Sequence, residues 1–513
     1  MIDSKTYDIV LFTDGSVRTW HMRPLGPQRI ATELRKHGYS VKIVDFFHHW
    51  LEDIANLEQL MDQLISNTTL FVGFSGTYFN KFNTVTAMSS IKTFRDYHKS
   101  QILSTWPVAD RSINNFLENT QNKFPHIKFV YGGDRYDYKN QYLINTMDYI
   151  VHGLADTTVI EIANHLSKNT PLKFFPSGSK AKIINHDKDA TYFDFKNSVT
   201  QYLPDDNIVF GDAVAMETSR GCMFQCDFCG YPILGRKKGD ANFHKTVETL
   251  AEELRHNYEN NGINKYIFTD NIFNESASKL EDMLRARDLS KVDFTFCAFT
   301  RIELLIKQPE QLQLLKELGM SSAILSIESL HRPSSRTVGK GVDPERVKEL
   351  TYKMKDLWNN KLNISGSFII GLPEDNPDTL ETWMPWLKDK NCPIDGLFVN
   401  RLDLHSLGNT LLSKSPEKYG YTDLSFKRGY SYWKNKYWNS IDADRYMYSV
   451  MEECWQSGRI KLAGMDIIGF QTAGYSFDEL LTMSISNVNF SAMIQQVEDK
   501  FKSYQNTLLQ ANK

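Results

Sequence analysis

The chain has 513 residues, enough for two or three domains that each bury a core of their own. Its 41% hydrophobic and 24% charged content excludes a disordered or fibrous protein, and a formal net charge of −3 gives no sign of a nucleic-acid or membrane partner. The start, MIDSKTYDIVLFTDG, lacks the pattern of a secretory leader, and no apolar run is long enough to span a bilayer, so the expected location is cytoplasmic.

Residues 1–170 alternate short apolar runs with helical patterns. YDIVLFT (7–13), VKIVDF (41–46), TLFVGFS (69–75), IKFVYGG (127–133) and DYIVHG (148–153) read as buried parallel strands. RIATELRKHG (29–38) reads as a helix stopped by Gly38. The expected unit is a five-stranded, doubly wound, flavodoxin-like or Rossmann-like α/β domain. Its ligand would sit at the loops 13–26, 75–80 and 132–137, beyond the carboxyl ends of the strands. Residues 171–210 lose the periodicity and read as a linker.

Over 211–415 the alternation resumes with AVAMET, KYIFTDN, VDFTFCAFT, SAILSIES, ISGSFIIGLP and GLFVNRLDL, separated by helical stretches. Six strand–helix units predict a partial (β/α)6 barrel of TIM type, whose reactive groups belong at the carboxyl ends of its strands. Residues 416–513 read as a mostly helical region, and the aromatic run at 430–438 reads as part of its core.

Three of the six cysteines fall inside RGCMFQCDFCG, immediately after the first barrel strand. In a reducing compartment such a group binds metal or catalyses. Two readings follow from the residues alone. Cys222, Cys226 and Cys229 hold a structural zinc with His244 as fourth ligand, or they hold a four-iron cluster with one iron open to another molecule. Cys297, Cys392 and Cys454 are isolated, and Cys297 reads as a small core residue.

The spacing C-x3-C-x2-C, with the aromatic Phe228 before the last cysteine, resembles the signature of the radical S-adenosylmethionine (SAM) superfamily. The resemblance implies a [4Fe–4S] cluster whose open iron chelates SAM and cleaves it to a 5′-deoxyadenosyl radical, with a flavodoxin or ferredoxin as electron donor. It implies SAM contacts at Asp270 in TDN (269–271), at Arg301 in FTRIELL, at Glu328 in SIES and at the backbone around Ile370 in SGSFIIGLPED. From the residues alone, Asp270 is also readable as a helix cap and Arg301 as a surface ion pair with Glu303 or a neighbour.

RPLGPQRIATELRKHGYSVKIVDF, GFSGTYFN and VYGGDRYDYKN are similar to the cobalamin-binding domain that precedes the barrel in cobalamin-dependent radical SAM enzymes. Ser75, Thr77, Gly132 and Gly133 would then face the cofactor's nucleotide tail. The D-x-H-x-x-G motif that supplies a histidine to cobalt elsewhere is absent, and His21 lies alone in a long loop. Taken together, the two resemblances imply methylation of an unactivated carbon. The alternatives are a cobalamin-free radical rearrangement, cyclisation or oxidation, and a zinc-stabilised binding protein.

Overall fold

The alternating runs form two parallel sheets, followed by one antiparallel hairpin. The computed structural model describes residues 6–13, 23–76, 95, 111–133, 140–185, 193–208, 212–229, 243–341, 343–404, 410–427 and 430–511. In the first sheet β1 (Ile9–Phe12), β2 (Val41–Val44), β3 (Phe71–Ser75), β4 (Lys128–Gly133) and β5 (Tyr149–His152) run parallel in the order 2-1-3-4-5. All five lie inside the expected runs. The helix expected at 29–38 is present but starts earlier, spanning Leu25–Lys36.

Among the described residues the sheet has seven strands where five were expected. β6 (Phe175–Pro176) and β7 (Lys182–Asn185) come from the stretch that reads as a linker, and β7 continues the parallel order beside β5. Both residues of β6 are exposed, and only Ile184 of β7 is buried. A short edge strand without a buried face carries no apolar run to recognise. Phe12, Phe74, Phe116 and Tyr131 pack one face of the sheet, and Leu11, Val130, Val151 and Ile162 pack the other.

The second sheet holds the six expected barrel strands, all parallel and in sequential order: β8 (Ala213–Met216), β9 (Lys265–Phe268), β10 (Thr295–Thr300), β11 (Met320–Glu328), β12 (Asn363–Ile370) and β13 (Gly396–Arg401). Its inner face is plugged by the helix Gly464–Thr472, whose Ile468 packs among Ala213, Ile267, Cys297 and Ile324. Gly464 makes that approach close: a Cβ there would lie 2.7 Å from Ser322 Cβ. Cys297 is therefore a core residue of the plug, with burial pushing its thiol up.

The aromatic run expected in a helical region is instead strand β15 (Tyr430–Lys434), antiparallel to β14 (Thr422–Lys427). Its Trp433 is buried, donates to the Leu402 carbonyl at 2.9 Å and packs on Gly371. Gly371 has φ +91°, and a Cβ would lie 2.5 Å from the indole. Gly371→Ala should therefore cost about 2–5 kcal/mol, from left-handed strain plus overpacking, read as a lower denaturant midpoint.

The last helix, Phe490–Ala511, crosses back to the first domain. Phe501, Tyr504 and Leu508 join that domain's core, and the Asp45 amide donates to the Tyr504 hydroxyl oxygen at 3.0 Å. Beside it Arg23 bridges Asp45 and Asp212, and Lys500 also pairs with Asp212. The C-terminal region thus plugs the barrel and clamps it to the first domain.

Candidate active site

The chain leaves β8 at Met216 and turns through Glu217–Arg220 into the cysteine loop. Cys226 is buried, while Cys222 and Cys229 are half-buried. The loop is wound by a 2.9 Å hydrogen bond from the Cys229 amide to the Cys226 carbonyl, and the Phe224 amide donates to Cys222 Sγ at 3.4 Å. Burial pushes the Cys229 thiol up to about 12, with Cys226 and Cys222 adding to the rise. Burial also raises Cys222. Cys226 thus lies within electrostatic reach of both Cys222 and Cys229. Among the described residues no three Cys, His, Asp or Glu side chains converge on a single-ion site. His244, the fourth ligand of the zinc reading, is engaged by Glu275 at 3.0 Å. Three cysteine sulfurs on one loop at the barrel mouth are a donor set that suits a four-iron cluster with one iron open. Phe228 packs partly buried against the barrel core.

Asp270 follows β9 and is buried, yet its carboxylate is fully committed within the protein. Oδ1 accepts from the Thr218 and Ser219 amides at 2.7 and 3.1 Å, and Oδ2 accepts from the Thr218 hydroxyl and from Lys279 Nζ. Through these bonds it holds the entry to the cysteine loop. It does not cap the next helix, where Ser276 takes that role.

Arg301 follows β10 and is also committed. Nη1 donates to Cys226 Sγ at 3.3 Å, Nη2 to Glu303 Oε1 at 3.0 Å and to the Gly339 carbonyl at 3.3 Å, and the guanidinium stacks 4.0 Å from the Phe224 ring centroid. The ion pair with Glu303 is present, but it is buried, and the fork faces a cysteine sulfur.

Glu328 ends β11 at a register shift and has φ +67°, a left-handed conformation that a glutamate adopts only where its surroundings impose it. Burial pushes its carboxyl up, opposed by Lys340, whose Nζ lies 3.5 Å away, and by the Ser367 hydroxyl. Alternation along β12 puts Ser367 and Ile369, both half-buried, on the same face as the plugged lumen, whereas Ile370 is fully buried in the outer core. Any contact at Ile370 is therefore through its backbone.

In the first domain a largely apolar cavity of about 250 Å³ opens at the carboxyl ends of β3, β4 and β5. Ser75, Gly132 and Gly133 line it as expected, together with Gly73 and Gly153. Thr77 and His21 lie outside the described residues. The cavity's far wall belongs to the barrel: Glu217 and Arg220 line it beside Arg29 and Asp156 of the first domain. Arg220 grips Asp156 with two nitrogens, at 2.7 and 3.0 Å, and Glu217 at 2.8 Å. Arg29 approaches the same Asp156 at 3.2 Å, and the two arginines hold that carboxyl down to about 2 against the effect of burial.

Residues 216–387 match the radical SAM superfamily. The barrel is a radical SAM domain. Its surroundings are those of a wider architecture. The radical SAM methyltransferase TsrM of Kitasatospora setae, solved with cobalamin and a [4Fe-4S] cluster, aligns with 96% of this chain and 100% of its own at TM-score 0.59 and 13% identity. The cobalamin-dependent radical enzyme OxsB, solved with aqua-cobalamin and SAM, aligns with 97% of this chain and 62% of its own at TM-score 0.51 and 13% identity. An uncharacterised methyltransferase of Pyrococcus horikoshii is 24% identical over 253 residues, 47% of this chain and 53% of the relative. The bacteriochlorophyllide d C-8(2)-methyltransferase of Chlorobaculum tepidum is 23% identical over 180 residues, 34% of this chain and 39% of the relative. The chain spans about half the length, or less, of these curated relatives.

Two residues of the radical SAM domain's site escape a reading by sequence. Lys340 is buried beside Glu328 and donates to the Ser326 carbonyl at 2.8 Å. Its signal is the flanking pair Gly339 and Gly341, both at positive φ, in a turn packed on the cysteine loop. Arg220 stands two residues before Cys222 and reads as part of the cysteine motif, although it also reaches Asp156 in the other domain. None of the helices is long and apolar enough to cross a membrane among the described residues.

Proposed function

We propose that the protein is a cobalamin-dependent radical SAM methyltransferase acting on an unactivated carbon. One observation carries the reading: the cavity of the first domain and the cysteine loop share a wall, because Glu217 and Arg220 line the cavity just before Cys222. Two cofactors bound at these places would face one another across the barrel mouth. When bound, SAM at a reduced [4Fe–4S] cluster supplies a 5′-deoxyadenosyl radical and cobalamin supplies a methyl group.

In this reading Cys222, Cys226 and Cys229 ligate the cluster, and Phe228 packs the loop onto the barrel. Glu328 holds the ribose hydroxyls, for which a buried carboxylate at a strand end is suited. The β12 backbone around Ile370 borders the adenine. Ser75, Gly132 and Gly133 pass the nucleotide tail of cobalamin, where missing side chains let a bulky ligand approach the backbone. A flavodoxin or ferredoxin in the cytoplasm supplies the electron.

The test is anaerobic purification with iron reconstitution and added hydroxocobalamin, followed by metal counts on the desalted protein. The expected result is about four irons and one cobalt per chain, with absorption near 400 nm. Cys226→Ala should lose the iron and that absorption. One zinc and no colour would overturn the whole reading, and iron without cobalt would overturn its cobalamin part.

A further inference from the structure

We propose that Arg301 acts on the cluster and not on SAM: its guanidinium, fixed on the Cys226 sulfur, makes the cluster easier to reduce. The inference rests on the reading that the three cysteines hold an iron–sulfur cluster. A guanidinium that grips an amino-acid carboxylate needs two parallel N–H groups free on one edge. Here Nη1 is turned to the sulfur, Nη2 is shared between Glu303 and Gly339, and one face lies on Phe224. The residue is only 5% exposed, so turning it toward SAM would break a buried ion pair and uncover Glu303.

The same geometry suits an electrostatic role. Reduction adds negative charge to the cluster and its thiolate sulfurs, and a charge-assisted N–H···S contact in a dry wall favours the electron-rich state. Glu303 works in the opposite direction. Its Oε1 holds the guanidinium, and its buried Oε2 has no hydrogen-bond partner among the described residues, so its charge is only partly compensated. The pair therefore sets the cluster's potential through two opposed charges, with the cation nearer to the sulfur. Gly339 completes the clamp, since a Cβ there would lie 3.4 Å from the Gln225 carbonyl oxygen.

The test is an EPR-monitored redox titration of the anaerobically reconstituted holoenzyme, without SAM, on wild type, Arg301→Gln, Arg301→Lys and Glu303→Gln. Arg301→Gln should make reduction at least tenfold less favourable at a fixed poise, a shift of about 59 mV to more negative potential for one electron. Arg301→Lys should keep part of the wild-type value, and Glu303→Gln should move the potential to the positive side. Opposite signs for the two neutral variants cannot arise from a merely structural clamp. Should Arg301→Gln fail to retain iron, the positive shift of Glu303→Gln and the intermediate value of Arg301→Lys decide. Unchanged potentials, with or without a rise in the SAM dissociation constant measured by equilibrium dialysis, would overturn the proposal and, with that rise, return Arg301 to a SAM-binding role. A wild type without iron would fail earlier, at the cluster reading itself, and takes the proposal with it.

Discussion

Asp270→Ala is expected to destabilise the protein by about 3–5 kcal/mol and to strip most of the iron from the reconstituted enzyme. The expectation comes from what the carboxylate holds. Removing it leaves the Thr218 and Ser219 amides without their acceptor and leaves Lys279 Nζ, on a side chain 9% exposed, facing only the Ser219 hydroxyl and the Ile272 carbonyl. Breaking one side of a buried pair costs far more than the pair contributes, because the remaining charge has no solvent to return to. Thr218 and Ser219 lie three to four residues before Cys222, so the loss is transmitted directly to the loop that must present three sulfurs together. Urea unfolding of the apoprotein and an iron count on the reconstituted protein measure the two effects. A variant of normal stability and iron content with weakened SAM binding would instead make Asp270 a direct SAM contact.

Asp270 also marks where reading from sequence stops. A polar residue at the end of a barrel strand is visible in TDN, but its four bonds come from Thr218 and Ser219, about fifty residues earlier, and from Lys279, one helix later. The same holds for Arg301, whose partner Glu303 is two residues on in sequence while Cys226 is 75 residues away. Residue type and place on a strand are local properties and were legible; the identity of a buried partner is a tertiary property. Glu328 lies between these cases, since both its place at the end of β11 and its need for a partner follow from the apolar run before it.

The fold divides along similar lines. Eight of the eleven expected α/β strands are buried over at least three quarters of their length, while β4, β10 and β13, six residues each, are carried by three or four buried core positions. Strands β6 and β7, at the end of the first sheet, have no such run. The last helix shows an amphipathic face, but nothing local says that Phe501 and Tyr504 belong to a core begun at Tyr7. A β-rich hairpin at 422–434 was hidden because Tyr and Trp suit a helical core as readily as a strand.

Gly132→Leu should abolish cobalamin retention while leaving the iron count at its wild-type value. Along β4 the side chains alternate between the two faces of the first sheet, with Phe129 and Tyr131 in one core and Val130 in the other, so position 132 shares the face of Val130, on which the cavity opens. A Cβ at Gly132 meets Val151 Cβ at 3.5 Å, an ordinary contact, so the backbone accepts a side chain there and the added volume must project into the cavity. Gly73 is a poorer site for the experiment, because its Cβ would lie 2.7 Å from Leu11 Cδ2 and the core itself would have to shift. A leucine in a cavity of about 250 Å³ occupies a large share of it. The expected fall in bound cobalt is at least tenfold, with the cysteine loop untouched on the far side of Arg220. Equal cobalt in variant and wild type would place any cobalamin elsewhere. Loss of iron together with cobalt would mean that filling the cavity displaces Asp156 and, through its two-nitrogen bond to Arg220, the loop that begins two residues later.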